Sequence, residues 1–299
     1  MKLRVRAGDK DVELGNLDKV FWPAEGYTKA HLLRYYAAVS PYLLPHLIGR
    51  PMVLHRYPDG ITGGSFYQQE CPSHFPEWLP TVVMPSEGRR RVINYCLVED
   101  VAGLLWVVNQ GAIEMNPWLS TWSRPDHPTA AALDLDPAPP AGFAEARRLA
   151  LLLRPLLADL GLRAYPKTSG ASGLHLYIPV AGRYTFAEVR RALQNLATVA
   201  RASWPELCTL ERPVSRRRGR VYIDVSQNGR GKTIVSPYSV RPLPGAPVST
   251  PLTWEELTDP DLSPTAFSMA TVPERLAAKG DLFAPVLTES QSLEPLLRN

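Results

Sequence analysis

At 299 residues, with 33 Lys and Arg against 29 Asp and Glu and a net charge of +4, the chain is long enough for one large domain or two small ones. Its 45% apolar and 21% charged composition is that of a globular chain rather than a disordered one, and no apolar run nears the roughly 18 residues of a membrane-spanning helix. Met1-Lys2-Leu3-Arg4-Val5-Arg6 puts charges where a signal peptide would need an apolar stretch. Cys71, Cys96 and Cys208 are widely spaced with no CxxC pair. A disulfide framework or a Cys-rich zinc module is therefore not expected, and a reducing cytoplasm fits. The 30 prolines point to many stiff connections rather than long helices.

Thr28–Leu44 reads as a helix, with Leu32, Tyr35, Tyr36 and Val39 near helical spacing and Pro41 and Pro45 as its stop. Glu99–Ile113 reads as a second helix, its apolar face made by Val101, Leu104, Leu105 and Val108. The rest of the first 115 or so residues reads as Pro-rich loop. Ala131–Asp136 is a predicted strand stopped by Pro137, and Phe143–Leu160 a Leu-rich helix with a Pro155 kink and Gly161 at its end. Leu174–Val180 is the next strand. Thr185 and Glu188 form a capping box for a helix running to about Ser203. Val221–Val225 and Thr233–Val240 read as strands joined through Asn228-Gly229-Arg230-Gly231, a hairpin signal. A short helix near Trp254–Leu257 falls in a loop-rich tail. This order implies an α+β fold: a mixed sheet with packed helices, extended by an N-terminal subregion.

Charge is concentrated. Between Arg212 and Lys232, seven basic residues face Asp224 alone, and Arg89, Arg90 and Arg91 form a second cluster. Such clusters suit anions, nucleic-acid backbones included; a solvated loop is the alternative.

The sharpest chemical motif is Leu133-Asp134-Leu135-Asp136-Pro137. On a strand, Asp134 and Asp136 share one face about 7 Å apart at Cα, while the leucines take the other. Two such close carboxylates call for a cation, and a hard divalent ion suits them. The alternative is a surface strand paired with Arg. Asp224 alternates with Val221, Ile223 and Val225 and adds a third carboxylate. Three strand-borne Asp residues beside basic ones suit a two-metal phosphoryl-transfer site. For Asp224 the alternative is a pair with an Arg of its own segment. The run Lys167-Thr168-Ser169-Gly170-Ala171-Ser172-Gly173-Leu174-His175 could turn backbone N–H groups and a His toward an anion, or be a plain turn. Gly231-Lys232-Thr233 is not a Walker loop, because Ser226 stands where its first Gly would be. Phe66-Tyr67, after Gly63-Gly64, could stack on a base or pack in the core.

Taken together, the stretches Leu17-Asp18-Lys19-Val20, Asp100–Glu114, Leu133–Pro137, Lys167–His175 and Val221–Pro242 make the chain resemble the polymerase domain of bacterial ligase D, in the archaeo-eukaryotic primase superfamily. The resemblance spans nearly the whole chain. It implies a single primase-type domain over 1–299, with an RRM-like catalytic sheet, an N-terminal DNA-end-binding part over 1–115 and a catalytic core and tail over 116–299. It implies Asp134, Asp136 and Asp224 as catalytic ligands of two Mn²⁺ or Mg²⁺ ions. Ser169, Ser172, His175, Lys232 and Arg241 fall to the incoming nucleotide, Asn16, Lys19 and Lys29 to a DNA 5′-phosphate, and Phe66 and Tyr67 to the template. The chain departs from the family at Asn116, where His is usual, and at Ser172 and Gln69, where basic residues are frequent. No Lys-x-Asp-Gly ligase signature or phosphoesterase module is seen, as in a stand-alone version or an excised domain.

The implied function is a template-dependent nucleotidyltransferase of DNA-end repair, adding nucleotides, preferably NTPs, to a DNA 3′-OH at gaps or double-strand breaks. Implied partners are gapped or broken DNA, NTPs, a Ku-like end-binding protein and a separate ATP-dependent DNA ligase, in a cytoplasmic, nucleoid-associated setting. The alternatives are a non-catalytic DNA-end-binding module and a metal-dependent nuclease.

Overall fold

Residues 2–86 and 91–298 are described by a computed structural model, and they divide into two compact units. Arg89 and Arg90 lie outside the described residues. The first unit comprises Met1–Ser123, Thr233–Ser249 and Phe267–Asp281; the second comprises Arg124–Lys232, Thr250–Ala266 and Leu282–Asn299.

The first unit opens with an antiparallel hairpin of β1 (Lys2–Ala7) and β2 (Lys10–Gly15). A second small pair, β3 (Val20–Trp22) and β4 (Tyr27–Thr28), leads into helix α1 (Lys29–Leu43). Pro41 does not end α1 as the sequence suggested. Proline removes the bond to the carbonyl four residues back. Here that carbonyl belongs to Ala37, and Ser40 Oγ donates to it at 2.8 Å. Then come β5 (Met52–Arg56), β6 (Phe66–Gln68), β7 (Thr81–Pro85), β8 (Val92–Cys96), α2 (Val101–Asn109) and β9 (Ala112–Pro117).

Helix α2 stops short of Ile113. Gly111 turns the chain at φ +84°, where a Cβ would meet Tyr57 O at 3.2 Å, and β9 begins. Two strands of this region, β5 and β9, escaped the sequence for a physical reason. β9 is buried at every position and β5 at all but its last, so neither shows period-two alternation. β5 is the middle strand of an antiparallel sheet ordered β6–β5–β9, and β7 pairs with β8. The unit's core gathers Phe21, Trp22, Leu32, Tyr36, Val39, Leu104, Val108 and Ile113 between α1, α2 and these strands.

Cys71 and Cys96 are joined by a disulfide, where no disulfide framework was expected; Cys208 is free and buried. The bond ties the segment after β6 to the end of β8. Its sequence separation of 25 corresponds to a loop-closure stabilisation of about 3.5 kcal/mol in the chain-entropy picture. Reduction, or Cys71→Ser, is expected to lower the melting temperature by several degrees. An unchanged melting curve with and without reductant, after non-reducing mass analysis confirms the bond, would contradict that.

The second unit is built on a five-stranded sheet ordered β11–β12–β10–β14–β13: β10 (Ala130–Pro137), β11 (Tyr165–Thr168), β12 (Leu174–Pro179), β13 (Cys208–Thr209) and β14 (Val221–Asp224). All its pairings are antiparallel except β13 with β14, so the sheet is mixed, as expected. Helices α3 (Phe143–Asp159) and α4 (Phe186–Ser203) pack against β10 and its neighbours, and the Thr185–Glu188 capping box opens α4 as read.

The predicted hairpin after β14 does not form. Both edges of β14 are already paired, to β10 and β13. Asn228, fully buried, supplies side-chain bonds instead: Oδ1 accepts from Ala132 N at 2.9 Å, and Nδ2 donates to Ala132 O at 2.7 Å and Val225 O at 2.9 Å. Its amide thus satisfies the β10 backbone beyond the end of β14. Thr233–Val240 makes only isolated bridges, Trp118 with Thr233 and Val240 with Val248. The tail helix is a short 3₁₀ turn, Glu256–Thr258. Among the described residues, no helix is long and apolar enough to cross a membrane.

Candidate active site

In the second unit, β10 alternates as its sequence predicts: Leu133 and Leu135 are buried, Asp134 and Asp136 half-buried on the other face. The register sets Asp134 directly opposite Asp224 of β14 and next to His175 of β12. Directly opposed residues have Cβ atoms about 5 Å apart. The sheet itself therefore brings two carboxylates and an imidazole into one row, with Asp136 two residues along.

Each group has a defined partner. His175 Nε2 lies 3.5 Å from Asp134 Oδ1, and Lys167 Nζ lies 2.8 Å from His175 Nδ1. With Lys167 as an ammonium, which can only donate, Nδ1 accepts and the ring proton falls on Nε2, facing Asp134. Lys167, wholly buried, was part of the quoted motif but had no role assigned from sequence. Asp224 Oδ1 accepts from Ser226 N at 2.7 Å and from Tyr222 OH at 3.3 Å. Its expected alternative, an Arg of its own segment, is not what holds it. Asp136 does take an Arg: Arg217 Nη1 donates to Oδ2 at 2.6 Å. The same guanidinium bonds Arg212 O at 3.0 and 3.2 Å and lies 4.6 Å over the Tyr222 ring. The basic cluster thus sends one buried Arg into the carboxylate row, which the sequence signalled only as charge.

Among the described residues, no three His, Cys, Asp or Glu side chains are gathered closely enough to hold a metal ion as they stand. The donor chemistry nonetheless suits a divalent ion. Three half-exposed carboxylates share one sheet face, and one is neutralised by a guanidinium that a cation could replace. Asp134, Asp136 and Asp224 are the residues that would hold it.

The turn before β12 is tighter than an open anion nest. Ser169 Oγ accepts from Ala171 N at 3.1 Å and Gly173 N at 3.0 Å, so those two donors are spent internally. A Cβ at Gly173 would meet Leu135 O at 2.4 Å, so only glycine lets the turn lie against β10. Ser172 and Lys232 are exposed.

The first unit holds the remaining candidates. Asn16, at φ +56°, begins a turn in which Lys19 N donates to Asn16 O at 3.1 Å. Lys29 N then donates to Lys19 O at 2.8 Å, and Ala30 N to Leu17 O at 3.0 Å. Asn16, Lys19 and Lys29 are therefore fixed together at the start of α1, though Lys29 lies thirteen positions after Asn16 in the sequence. Lys19 pairs with Asp59. Lys29 is buried, donates to Gly15 O at 2.7 Å, and has its pKa pulled down to about 8, first by burial and then by the charges of Lys19 and Arg56.

Phe66 and Tyr67 are 46% and 64% exposed, so β6 offers them to solvent rather than to the core. Arg241 Nε lies 2.6 Å from Glu114 Oε1, and Glu114 Oε2 lies 2.7 Å from His55 Nδ1. Burial opposes ionisation of Glu114, but the His55 hydrogen bond and the Arg241 charge outweigh it, leaving the pKa below the usual carboxylate value. Asn116 is buried on β9 opposite Val53, and its Nδ2 has no hydrogen-bond partner among the described residues.

Comparison with known proteins identifies the family and the fold. The family model of the LigD primase-polymerase domain matches residues 28–283. The chain belongs to that family. It is 34% identical over 277 residues to the multifunctional non-homologous end joining protein LigD of Mycolicibacterium smegmatis, covering 92% of this chain and 36% of that protein. The bifunctional LigD of Bacillus subtilis is 34% identical over 287 residues, covering 95% of this chain and 45% of the relative. The chain thus spans less than half the length of these relatives. Among solved structures, the polymerase domain of Mycobacterium tuberculosis ligase D in complex with DNA superposes with a TM-score of 0.84 at 33% identity, covering 93% of this chain and 98% of that one. The α+β architecture is that of the LigD polymerase domain.

Proposed function

We propose that this LigD-type domain is a nucleotidyltransferase of DNA-end repair by non-homologous end joining. It extends a DNA 3′-OH at a gap or double-strand break by attack on the α-phosphate of a bound nucleotide, with pyrophosphate leaving. The observation that carries the reading is the register of β10, which sets Asp134 opposite Asp224 and beside His175, with Asp136 on the same face. Two Mn²⁺ or Mg²⁺ ions held by these carboxylates would neutralise the triphosphate and make the 3′-hydroxyl a better nucleophile. His175 keeps a proton on Nε2 with which to donate to a phosphate oxygen, and Lys167 holds that tautomer. Ser169, Ser172 and Lys232 add further nucleotide contacts beside them, and in the first unit Arg241 is the residue assigned to a nucleotide phosphate. Asn16, Lys19 and Lys29 hold a 5′-phosphate at the gap, and Phe66 and Tyr67 meet the template.

Gapped or broken DNA and NTPs are the substrates; a Ku-like end-binding protein and a separate ATP-dependent ligase are the partners, in a cytoplasmic, nucleoid-associated setting. Primer extension on a gapped duplex with Mn²⁺ separates this reading from its rivals. Lengthened primer supports a polymerase, unchanged primer a DNA-end-binding module, and shortened primer a nuclease. The reading also expects kcat/KM for an NTP to exceed that for the matching dNTP on the same gap, by roughly the tenfold that one 2′-OH hydrogen bond contributes. Equal values would refute the sugar preference and leave the polymerase assignment standing.

A further inference from the structure

The middle strand of the β6–β5–β9 sheet sets three candidate residues in one row. On β5, His55 lies opposite Tyr67 of β6 on one side and Glu114 of β9 on the other. The His55 ring stacks on the Tyr67 ring at 3.9 Å between centroids and 15° between planes. His55 Nδ1 lies 2.7 Å from Glu114 Oε2, and the other carboxylate oxygen, Oε1, lies 2.6 Å from Arg241 Nε. The result is an unbroken line from an exposed phenol ring, through a buried imidazole and a buried carboxylate, to a partly exposed guanidinium. Its ends can meet ligands and its middle cannot: Tyr67 is 64% exposed, and Glu114 is 3% exposed.

The middle is also constrained. His55 Nε2 lies 3.3 Å from Ser65 Oγ and the ring lies 4.6 Å from that of Tyr57, so the imidazole is packed on more than one side. Glu114 holds a partner on each oxygen. A displaced Tyr67 ring would give up its stack on His55, and a displaced His55 ring its hydrogen bond to the carboxylate that faces Arg241. We propose that His55 and Glu114 are positioning residues that couple the seating of a template base on Tyr67 to the hold of Arg241 on the incoming nucleotide. The proposal rests on the functional reading of Tyr67 and Arg241 above, and adds that these two contacts do not act independently. Chemically, a nucleotide would meet a correctly aimed guanidinium only when a template base is in place.

Residues acting through a shared network depart from additivity, whereas independent ones do not. The test is a double-mutant cycle on nucleotide KM and kcat, using gapped DNA and Mn²⁺. Tyr67→Leu, Arg241→Lys and the pair are each measured in the wild-type background and in His55→Phe, which keeps the ring stack and removes the Nδ1 hydrogen bond. Each single variant is expected to raise nucleotide KM more than it lowers kcat. In the wild-type background the combined KM effect is expected to fall short of the product of the two by about tenfold; in His55→Phe it is expected to match the product within about twofold. Glu114→Gln is the second background, expected to behave as His55→Phe does, and melting curves report whether each variant folds. Multiplicative effects in the wild type would overturn the coupling while leaving both contacts in place. Single variants with unchanged nucleotide KM would instead remove the roles of Tyr67 and Arg241, and the coupling with them.

Discussion

Asp134→Ala is expected to reduce primer extension about a thousandfold, to the limit of detection, while the melting temperature stays near that of the wild type. The size follows from the charge that is lost. Metal ions bound by carboxylates contribute several kcal/mol of transition-state stabilisation, and about 4 kcal/mol corresponds to a thousandfold in rate. The preserved fold follows from where the side chain sits. Asp134 lies on the polar face of β10, its side chain 24% exposed, while the apolar residues of the strand point the other way. Asp224→Asn is expected to match it, since it stands directly opposite in the register.

Asp136→Ala differs in one respect. It also frees the Arg217 guanidinium, which keeps its bonds to Arg212 O and its place over Tyr222. Loss of extension in Asp136→Ala with unchanged DNA binding fits the proposed roles. Extension within about tenfold of wild type in any of the three variants would contradict a two-metal site built on these residues.

How much of this was visible in the chain itself follows from which interactions are local. β10 was legible because one face is apolar and the other carries Asp134 and Asp136, so its alternation survives in the sequence. α4 was legible because the Thr185–Glu188 capping box is a local motif. β5 and β9 were not, because strands buried on both faces show no alternation. The hairpin after β14 was misread because the Asn-Gly signal reports a turn and not what flanks it. Asn228 spends its amide on the backbone of β10, a partner 96 residues away. The candidate site divides the same way. The carboxylates were marked by their spacing. Arg217 on Asp136, Lys167 on His175 and the His55–Glu114–Arg241 line depend on pairings across strands or loops, and composition showed only a basic segment. The Cys71–Cys96 bond has the same origin, since two cysteines 25 residues apart meet only through the pairing of β7 with β8 and the loop before it.

Binding to gapped DNA is expected to be roughly 10- to 150-fold tighter when the downstream strand carries a 5′-phosphate, the range of one charge-assisted contact of about 1.5–3 kcal/mol. The residues that would read it are held together by backbone bonds between the Asn16–Lys19 turn and the first residues of α1. Lys19→Ala is expected to lose most of the preference while binding the unphosphorylated gap almost as before. Lys19 is paired with Asp59 and partly exposed, so its removal costs the fold little. Rising salt is expected to weaken binding to both substrates through counterion release.

The preference also carries a pH signature from Lys29. Burial, aided by the nearby Lys19 and Arg56 charges, brings its pKa down to about 8, so the ammonium is present below that pH and lost above it. A phosphate anion favours the charged form and therefore draws a proton onto Lys29 as it binds. The preference is expected to be full near pH 7 and to decline as pH rises through 8 to 9, whereas an ordinary surface lysine would hold its charge to about pH 10. Lys29→Arg, whose guanidinium stays charged throughout this range, is expected to flatten the dependence if it is accommodated in the buried site. Fluorescence anisotropy on phosphorylated and unphosphorylated gaps at pH 7, 8 and 9 measures all of this. If wild type does not distinguish the two gaps at pH 7, the cluster is a solvated surface and the end-recognition role is wrong. If it distinguishes them equally at pH 7 and 9, the phosphate contact does not run through the Lys29 ammonium, and Lys19 with the α1 N-terminus must account for it.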